Sequence, residues 1–431
     1  MRAHLHTTGR LAQGRVRAVL GPPRDLSRTW GFRIFALAFL AEDTKAVAVY
    51  MHGLVGMSML LVTAGLVAGL ERSLPAVIGR IRRGAARNRA AILLSIWYVG
   101  GVLGTMYFAG STNTDWRQGA SSALILVGFL VGFAYLSESR AARLFQIAYV
   151  LMVGINCLAT SLETFRGGLV IREMVVSTNY LWLYGDQGFF AINAVLLPML
   201  IWRSVMERGV LRAVLLACCA VTGYVAVTSS YGTPAGALLV GLPAFAALGL
   251  FFGKTTSYGA RLLVVSLILY AGVMVVVRVV DAPVLEPVRS RVTNAWKDPR
   301  SGGYDPRQAE YGSRWMLAEI SWDSFVDSPL LGRGRGGMAN SGVVGGHSSL
   351  FDLLGFYGIL GGGGAFLGLL FTMSRRAQER LTRVGDWESI CAMTSLVMFL
   401  LVGVVNPYWG GLETATVLLI GRLFRMPPAH A

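Results

Sequence analysis

Repeated apolar runs of 16 to 25 residues dominate this chain. In hydrocarbon a backbone must satisfy its own hydrogen bonds, so runs of that length read as helices that cross a bilayer. With two shorter stretches at 30–42, which contains Arg33, and 410–424, they fall at 46–70, 90–108, 120–136, 144–160, 187–202, 210–228, 234–253, 260–280, 350–373 and 388–405. Composition agrees with this reading. Only 14% of the 431 residues are charged, 54% are apolar, and the mean hydropathy is +0.56. A soluble domain carries about 25% charged residues. The expected fold is an all-α polytopic membrane protein of about 12 transmembrane helices.

The basic residues give the expected orientation. Segments 1–29, 71–89, 137–143, 203–212, 254–261, 374–387 and 422–431 hold 25 Lys and Arg, and the alternate short loops hold 4. Positive charge marks the cytoplasmic side, so both termini are expected there. The net charge of +16 then belongs to anchors against an anionic leaflet. No basic cluster carries a nucleic-acid-binding pattern, and nucleic acid is excluded as a partner. The first thirty residues contain Pro22-Pro23 and many arginines but no early apolar core, so a cleaved leader is not expected. Cys157, Cys218, Cys219 and Cys391 fall inside apolar runs, which indicates neither a disulfide framework nor a zinc site.

One connection breaks the pattern of short loops. Residues 281–349, between the ninth and tenth spans, form a long extracytoplasmic segment. The organisation expected is a cytoplasmic tail (1–29), nine spans (30–280), this loop (281–349), three spans (350–424) and a second tail (425–431). Loops beyond about 12–15 residues are either functional or disordered. Trp296, Trp315, Trp322 and Phe325 argue for an ordered cap over the membrane face, and its arginines point to an anionic ligand. Within it, Ala309–Asp327 reads as a helix ended by Ser328-Pro329, with Glu319, Asp323 and Asp327 along one face. Arg314 projects nearly opposite that stripe. It is equally readable as the partner of Glu310 or as a free guanidinium for phosphate.

Glycine-rich Gly332-Arg333-Gly334-Arg335-Gly336-Gly337 follows, then Gly345-Gly346-His347-Ser348. Such a run can turn backbone amides inward around an anion, or serve as a hinge. No Gly-Lys-Ser/Thr ending is present, so it is not a nucleotide P-loop. His347 stands where this polar loop meets an apolar helix, the place where a lipid-linked substrate presents its reacting group. An imidazole there can exchange a proton near neutral pH, or can simply anchor the helix.

Arg314-Trp315, then Pro329-Leu330-Leu331-Gly332-Arg333-Gly334, then His347-Ser348 with nine residues to Gly358-Ile359-Leu360-Gly361, resemble the O-antigen ligase and polymerase superfamily. Asn193-Ala194-Val195-Leu196-Leu197-Pro198 is similar to its polar-entry helix, and Val227–Gly232 lies where the family has a Thr-x-Ser-Arg-Gly turn. The resemblance covers roughly 179–405. It implies a GT-C-like helical fold in the bacterial inner membrane with its site on the periplasmic face. It also implies an undecaprenyl-diphosphate-linked glycan donor, a sugar hydroxyl or lipid A-core as acceptor, other polysaccharide assembly proteins as partners, and no metal or other cofactor. His347 and Arg314 would be catalytic, with Ser348, Gly332, Gly334, Gly358 and Gly361 supporting.

The family arginine of the Ser-Arg-Gly turn is Tyr231 here. Arg333, Arg335, Arg166 and Arg172 are the candidates to bind diphosphate in its place. Asp352, one turn below His347, either orients it or caps its own helix. The resemblance implies inverting transfer, and its motifs are shared by polymerases and ligases; the reading taken is a polymerase of O-antigen or exopolysaccharide units. The alternatives are a lipopolysaccharide ligase and, from another class, a twelve-helix transporter. A transporter would show matched broken helices; for the Gly361–Gly364 run the expectation is close helix packing instead. Glu42-Asp43 in a four-residue loop reads as helix-end carboxylates.

Overall fold

The computed structural model describes residues 25–43, 74–108, 113–167, 187–228, 232–252, 310–333, 348–406, 408–409 and 411–425. Among them are thirteen α-helices and no strand. In chain order these are α1 (Trp30–Asp43), α2 (Leu74–Arg87), α3 (Arg89–Phe108), α4 (Asn113–Val131), α5 (Ser139–Gly167), α6 (Gln187–Val205) and α7 (Gly209–Thr228). Then come α8 (Gly232–Phe252), α9 (Glu310–Asp327), α10 (Ser349–Tyr357), α11 (Gly364–Val384), α12 (Trp387–Val405) and α13 (Gly411–Ile420). Five of them, α3, α5, α6, α7 and α12, are long and apolar enough to cross a membrane. The protein is thus a helical bundle compatible with a membrane. The expected spans 46–70 and 260–280 lie outside the described residues.

Helix α6 is central. Residues 189–196 along it are all buried, as befits a helix that is apolar all round. It packs on α5, α7, α8, α12 and α13. Its one strongly polar core residue, Asn193, accepts from the Tyr149 hydroxyl of α5 at 2.9 Å and donates to the Phe189 carbonyl. A buried amide satisfied on both sides fixes two helices against each other rather than marking a ligand. On the other flank α3 packs on α4 and α11, with Tyr98 against Phe366 at 4.9 Å.

Charged side chains gather at one end of the bundle. Arg140 pairs with Asp25, and Glu138 accepts from Arg80 and the Leu26 amide. Arg376 bonds Asn88. Glu207 takes both Arg143, at 2.8 and 2.5 Å, and Arg203 at 2.6 Å. Glu388, in the first turn of α12, meets Arg380, Arg422 and Arg425 at 3.0, 3.4 and 3.7 Å. Every described segment that the sequence marks as basic therefore contributes to one band, which we call the basic end. The opposite end holds the starts of α6, α8 and α10 and the ends of α7 and α12.

A pH effect follows from Glu207. The Arg143 hydrogen bond, foremost, and the charge of Arg203 hold its carboxyl below the ordinary glutamate value, against the opposing effect of burial. Its stabilising contribution is therefore present at neutral pH and lost as pH falls through the depressed folded-state pKa. The thermal unfolding midpoint of detergent-solubilised wild type should drop between pH 7 and pH 4 by more than that of Glu207→Gln. Equal slopes would remove Glu207 from the account.

Two expectations are corrected. The tenth span, read as continuous over 350–373, is broken: α10 ends at Tyr357, a π-turn spans Ile359–Gly363, and Gly362 has φ 127°. Nine residues make α10 only about 13 Å long, less than half a hydrocarbon core. The Gly361–Gly364 run is thus unwound as well as closely packed, with Gly361 against Gly101 of α3. Glycine permits both, and hydropathy registers neither. The segment 71–89, read only as a basic connection, contains helix α2.

Candidate functional site

The candidate site is built around the start of α10. Ser348 is its N-cap in extended conformation, and Asp352 in the first turn accepts from the Ser348 amide at 3.2 Å. This reach-back comes from the fourth helical residue, one beyond the capping-box position, and suits the positive end of a helix dipole. The other Asp352 oxygen accepts from Ser321 Oγ of α9 at 2.6 Å. Both side chains are buried, so the bond ties α9 to α10 where water cannot compete. Trp322 stands edge-on to Phe351 beside it.

Ser349 makes the second tie. Its amide and hydroxyl both donate to the Asn406 carbonyl, at 3.2 and 2.8 Å, and its hydroxyl accepts from the Trp409 amide at 2.7 Å. Asn406 Nδ2 in turn donates to Thr233 Oγ1 at 2.6 Å. Thr233 begins α8, two residues beyond Tyr231. Four segments distant in sequence (α8, α9, α10 and the α12–α13 connection) are thereby joined by buried hydrogen bonds. The Ser348 hydroxyl is buried and has no partner among the described residues, which leaves one polar group of this cluster unused.

Below this cluster the two glycine motifs interlock. After α9 the chain turns at Ser328–Gly332 and starts back, with the Arg333 amide donating to the Gly355 carbonyl at 3.0 Å. At the turn, Ile359 N–H donates to Pro329 O at 2.9 Å and Leu360 N–H to Leu330 O at 2.7 Å. The Leu360 carbonyl accepts from Trp97 Nε1 of α3 at 2.9 Å. Irregular backbone at membrane depth is tolerated only when its polar groups are satisfied in this way. Gly332 and Gly358 have φ of 69° and 56°. A Cβ on Gly358 would lie 2.5 Å from the Gly332 nitrogen, and one on Gly332 would overlap the Phe356 carbonyl. Each glycine is required twice, by conformation and by the approach of the other strand.

Of the segment 281–349 expected to form a cap, residues 310–333 and 348–349 are described. Helix α9 lies alongside α10, and its turn reaches the break. Glu319, Asp323 and Asp327 are exposed on α9, as its periodicity predicts. Comparison with known proteins finds no match. No family model, no curated protein and no solved structure matches the chain.

Of the expected site residues, Arg314 stands on α9, nearly two turns before Ser321, and Arg166 stands in the last turn of α5. Arg333 follows the docked turn, half exposed, and pairs with Asp327, so a phosphate would have to compete with that carboxylate. Asp352 is a cap and an α9 tie. Ser348, Gly332, Gly358 and Gly361 come together around α10. His347, Arg335, Arg172, Tyr231 and Gly334 lie outside the described residues. Among those described, no three His, Cys, Asp or Glu side chains group as metal ligands.

Sequence reasoning missed Ser321, Thr233, Asn406 and Trp409. A signal existed for two of them: Asn406-Pro407-Tyr408-Trp409 is a polar interruption between apolar runs. For Ser321 and Thr233 there was none, because a lone hydroxyl in a helix usually bonds its own backbone.

Proposed function

We propose that the chain is an inverting glycan transferase of the bacterial inner membrane, with the basic end cytoplasmic and the α10 cluster on the periplasmic face. The donor is a glycan on undecaprenyl diphosphate. The acceptor is a sugar hydroxyl of another lipid-linked glycan, which makes the protein an O-antigen or exopolysaccharide polymerase. With lipid A-core as acceptor it would be a ligase.

The observation that carries this reading is the interlock. The Pro329–Gly332 turn and the Gly358–Gly361 motif, which the resemblance names separately, are bonded to one another. The helix bearing Arg314 is tied through Ser321 and Asp352 to the helix that begins just after His347-Ser348. The Ser348 hydroxyl, next in sequence to that histidine, is buried and unpartnered among the described residues.

The chemistry needs little more. The acceptor oxygen attacks the anomeric carbon from the face opposite the diphosphate, and the carbon–oxygen bond to the leaving group breaks. His347 takes the acceptor proton, as a base whose ordinary pKa lies near neutrality. Arg314, with Arg333, Arg335, Arg166 or Arg172, meets the charge that builds on the departing diphosphate. The bond broken supplies the energy.

A transporter is the second reading, since α10–α11 is a broken helix. Against it, the amides of Ile359, Leu360 and Gly361 donate to Pro329 and Leu330, and the Leu360 carbonyl is taken by Trp97. Those groups are engaged by protein rather than turned toward an ion.

The test is product analysis in membranes given undecaprenyl-diphosphate oligosaccharide, with and without lipid A-core. Wild type should produce a ladder of lengthening lipid-linked glycans, and His347→Ala should lose about 10²–10⁴-fold in rate. Transfer only when lipid A-core is present would identify a ligase. A wild type that moves no glycan, or an unaffected His347→Ala, would overturn the reading.

A further inference from the structure

Helix α2 is the strongest feature that the transfer reading leaves unused. Its sequence, Leu-Pro-Ala-Val-Ile-Gly-Arg-Ile-Arg-Arg-Gly-Ala-Ala-Arg, contains four arginines and no acid. At 100° per residue it divides into three strips. Val77, Arg80, Ile81 and Gly84 form the strip toward the bundle. Val77 is buried, Ile81 packs on the core, Gly84 faces the Phe133 ring, and Arg80 pairs with Glu138 at 3.0 Å. Leu74 and Ile78 form a second, apolar strip, 38% and 53% exposed. Arg82 borders it, and Arg83 with Arg87 completes a third, basic strip. All three of these arginines are exposed, and among the described residues they make no ion pair.

Position settles what such a surface fits. Arg89, also exposed, begins α3 one residue after Asn88, and α3 is one of the five helices able to cross a membrane. Helix α2 therefore lies at the mouth of a span, where a bilayer surface would be. Leu74 and Ile78 gain nothing from facing water, and Arg82, Arg83 and Arg87 gain nothing from facing hydrocarbon. Both are satisfied at the boundary where acyl chains meet headgroups, with the stem of Arg82 along the apolar strip and Arg83 and Arg87, on the helix side turned from the acyl chains, reaching headgroup phosphate. A lipid surface meets both requirements at once; a soluble acidic partner meets only the second.

We propose that α2 is a docking surface for anionic phospholipid headgroups, seated in the interface on Leu74 and Ile78 and held there by Arg82, Arg83 and Arg87. Arg80 acts differently, fixing the helix to the bundle through Glu138, which also accepts from the Leu26 amide. This inference rests on the membrane character of the chain and not on glycan transfer, so the two can fail separately.

The experiment is hydrogen exchange over residues 74–87, read by mass spectrometry on the full chain. It compares nanodiscs of phosphatidylcholine alone with nanodiscs of phosphatidylcholine plus phosphatidylglycerol. Each arginine near an anionic surface shifts partitioning roughly fivefold, so three together give an effect on the order of a hundredfold at low salt. Exchange should slow by about tenfold or more when phosphatidylglycerol is added, and the slowing should shrink as salt screens it. The R82Q/R83Q/R87Q variant should lose the response. These arginines make no ion pair with the described bundle, and the wild-type comparison of the two lipids stands without the variant. Identical exchange in the two lipids would overturn the proposal, as would a triple variant that responds like wild type.

Discussion

Gly358→Val is expected to unseat the turn after α9 from the break between α10 and α11. Two costs add. Gly358 stands at φ 56° and ψ −166°, a region open essentially to glycine alone, and holding a side-chain-bearing residue there costs about 1–3 kcal/mol. The new Cβ would stand 2.5 Å from the Gly332 nitrogen and the Leu330 oxygen, which are backbone atoms with no rotamer to yield. Overpacking of that kind costs about 1–3 kcal/mol. The sum, about 2–6 kcal/mol, should appear as a lower unfolding midpoint in detergent and as new protease cleavage within 310–333. Gly332→Ala should act in the same direction. Both substitutions break the same contact, so the double variant should cost less than the two added together. Strict additivity would mean that the two motifs do not depend on each other.

Glu388→Ala should be comparably damaging, at the other end of the molecule. Glu388 is the carboxylate that Arg380 and Arg422 meet, and all three residues are less than 10% exposed. Two donor nitrogens of Arg422 are already buried without a partner among the described residues. Removing the carboxylate strands buried guanidinium charge, which costs about 3–5 kcal/mol. Arg425→Ala provides the contrast. It reaches the same carboxylate at 3.7 Å but is 41% exposed, so its loss should cost about 0–1 kcal/mol. Comparable midpoint shifts for the two variants would show that burial is not what gives the cluster its strength.

Hydropathy made the helical membrane class legible because it depends on composition over twenty residues, where local errors average out. Helix α9 was legible for a related reason: its acidic stripe keeps a helical period and Ser328-Pro329 stops it. The break at Gly358–Gly363 was not. Gly-Ile-Leu-Gly-Gly-Gly-Gly is as apolar as a continuous span, and unwinding depends on partners at Pro329, Leu330 and Trp97 that no local window contains. Helix α2 was hidden by its own charge, since counting arginines gave a side of the membrane but no angular arrangement. At the candidate site, the Pro329–Gly332 turn and the Gly358–Gly361 motif do meet beside α10, His347, Arg335 and Tyr231 lie outside the described residues, and the residues that join the elements were missed. Asn406 and Thr233 matter only because two chain segments 173 positions apart meet.

The interlocked turn also sets an order of events in synthesis. Residues 328–332 are made before the backbone that receives them, and the receiving surface also includes Trp97, 263 positions upstream of its partner Leu360. A growing chain therefore carries α9 undocked until residue 361 has emerged and been inserted. Closing contacts of such separation is a slow, late step. A chain truncated before the break would keep most of its helices and yet lack a seat for the turn. Docking of that turn thus reports assembly at least through the break after α10, and protease resistance of 310–333 serves as a measure of how many molecules have passed that point.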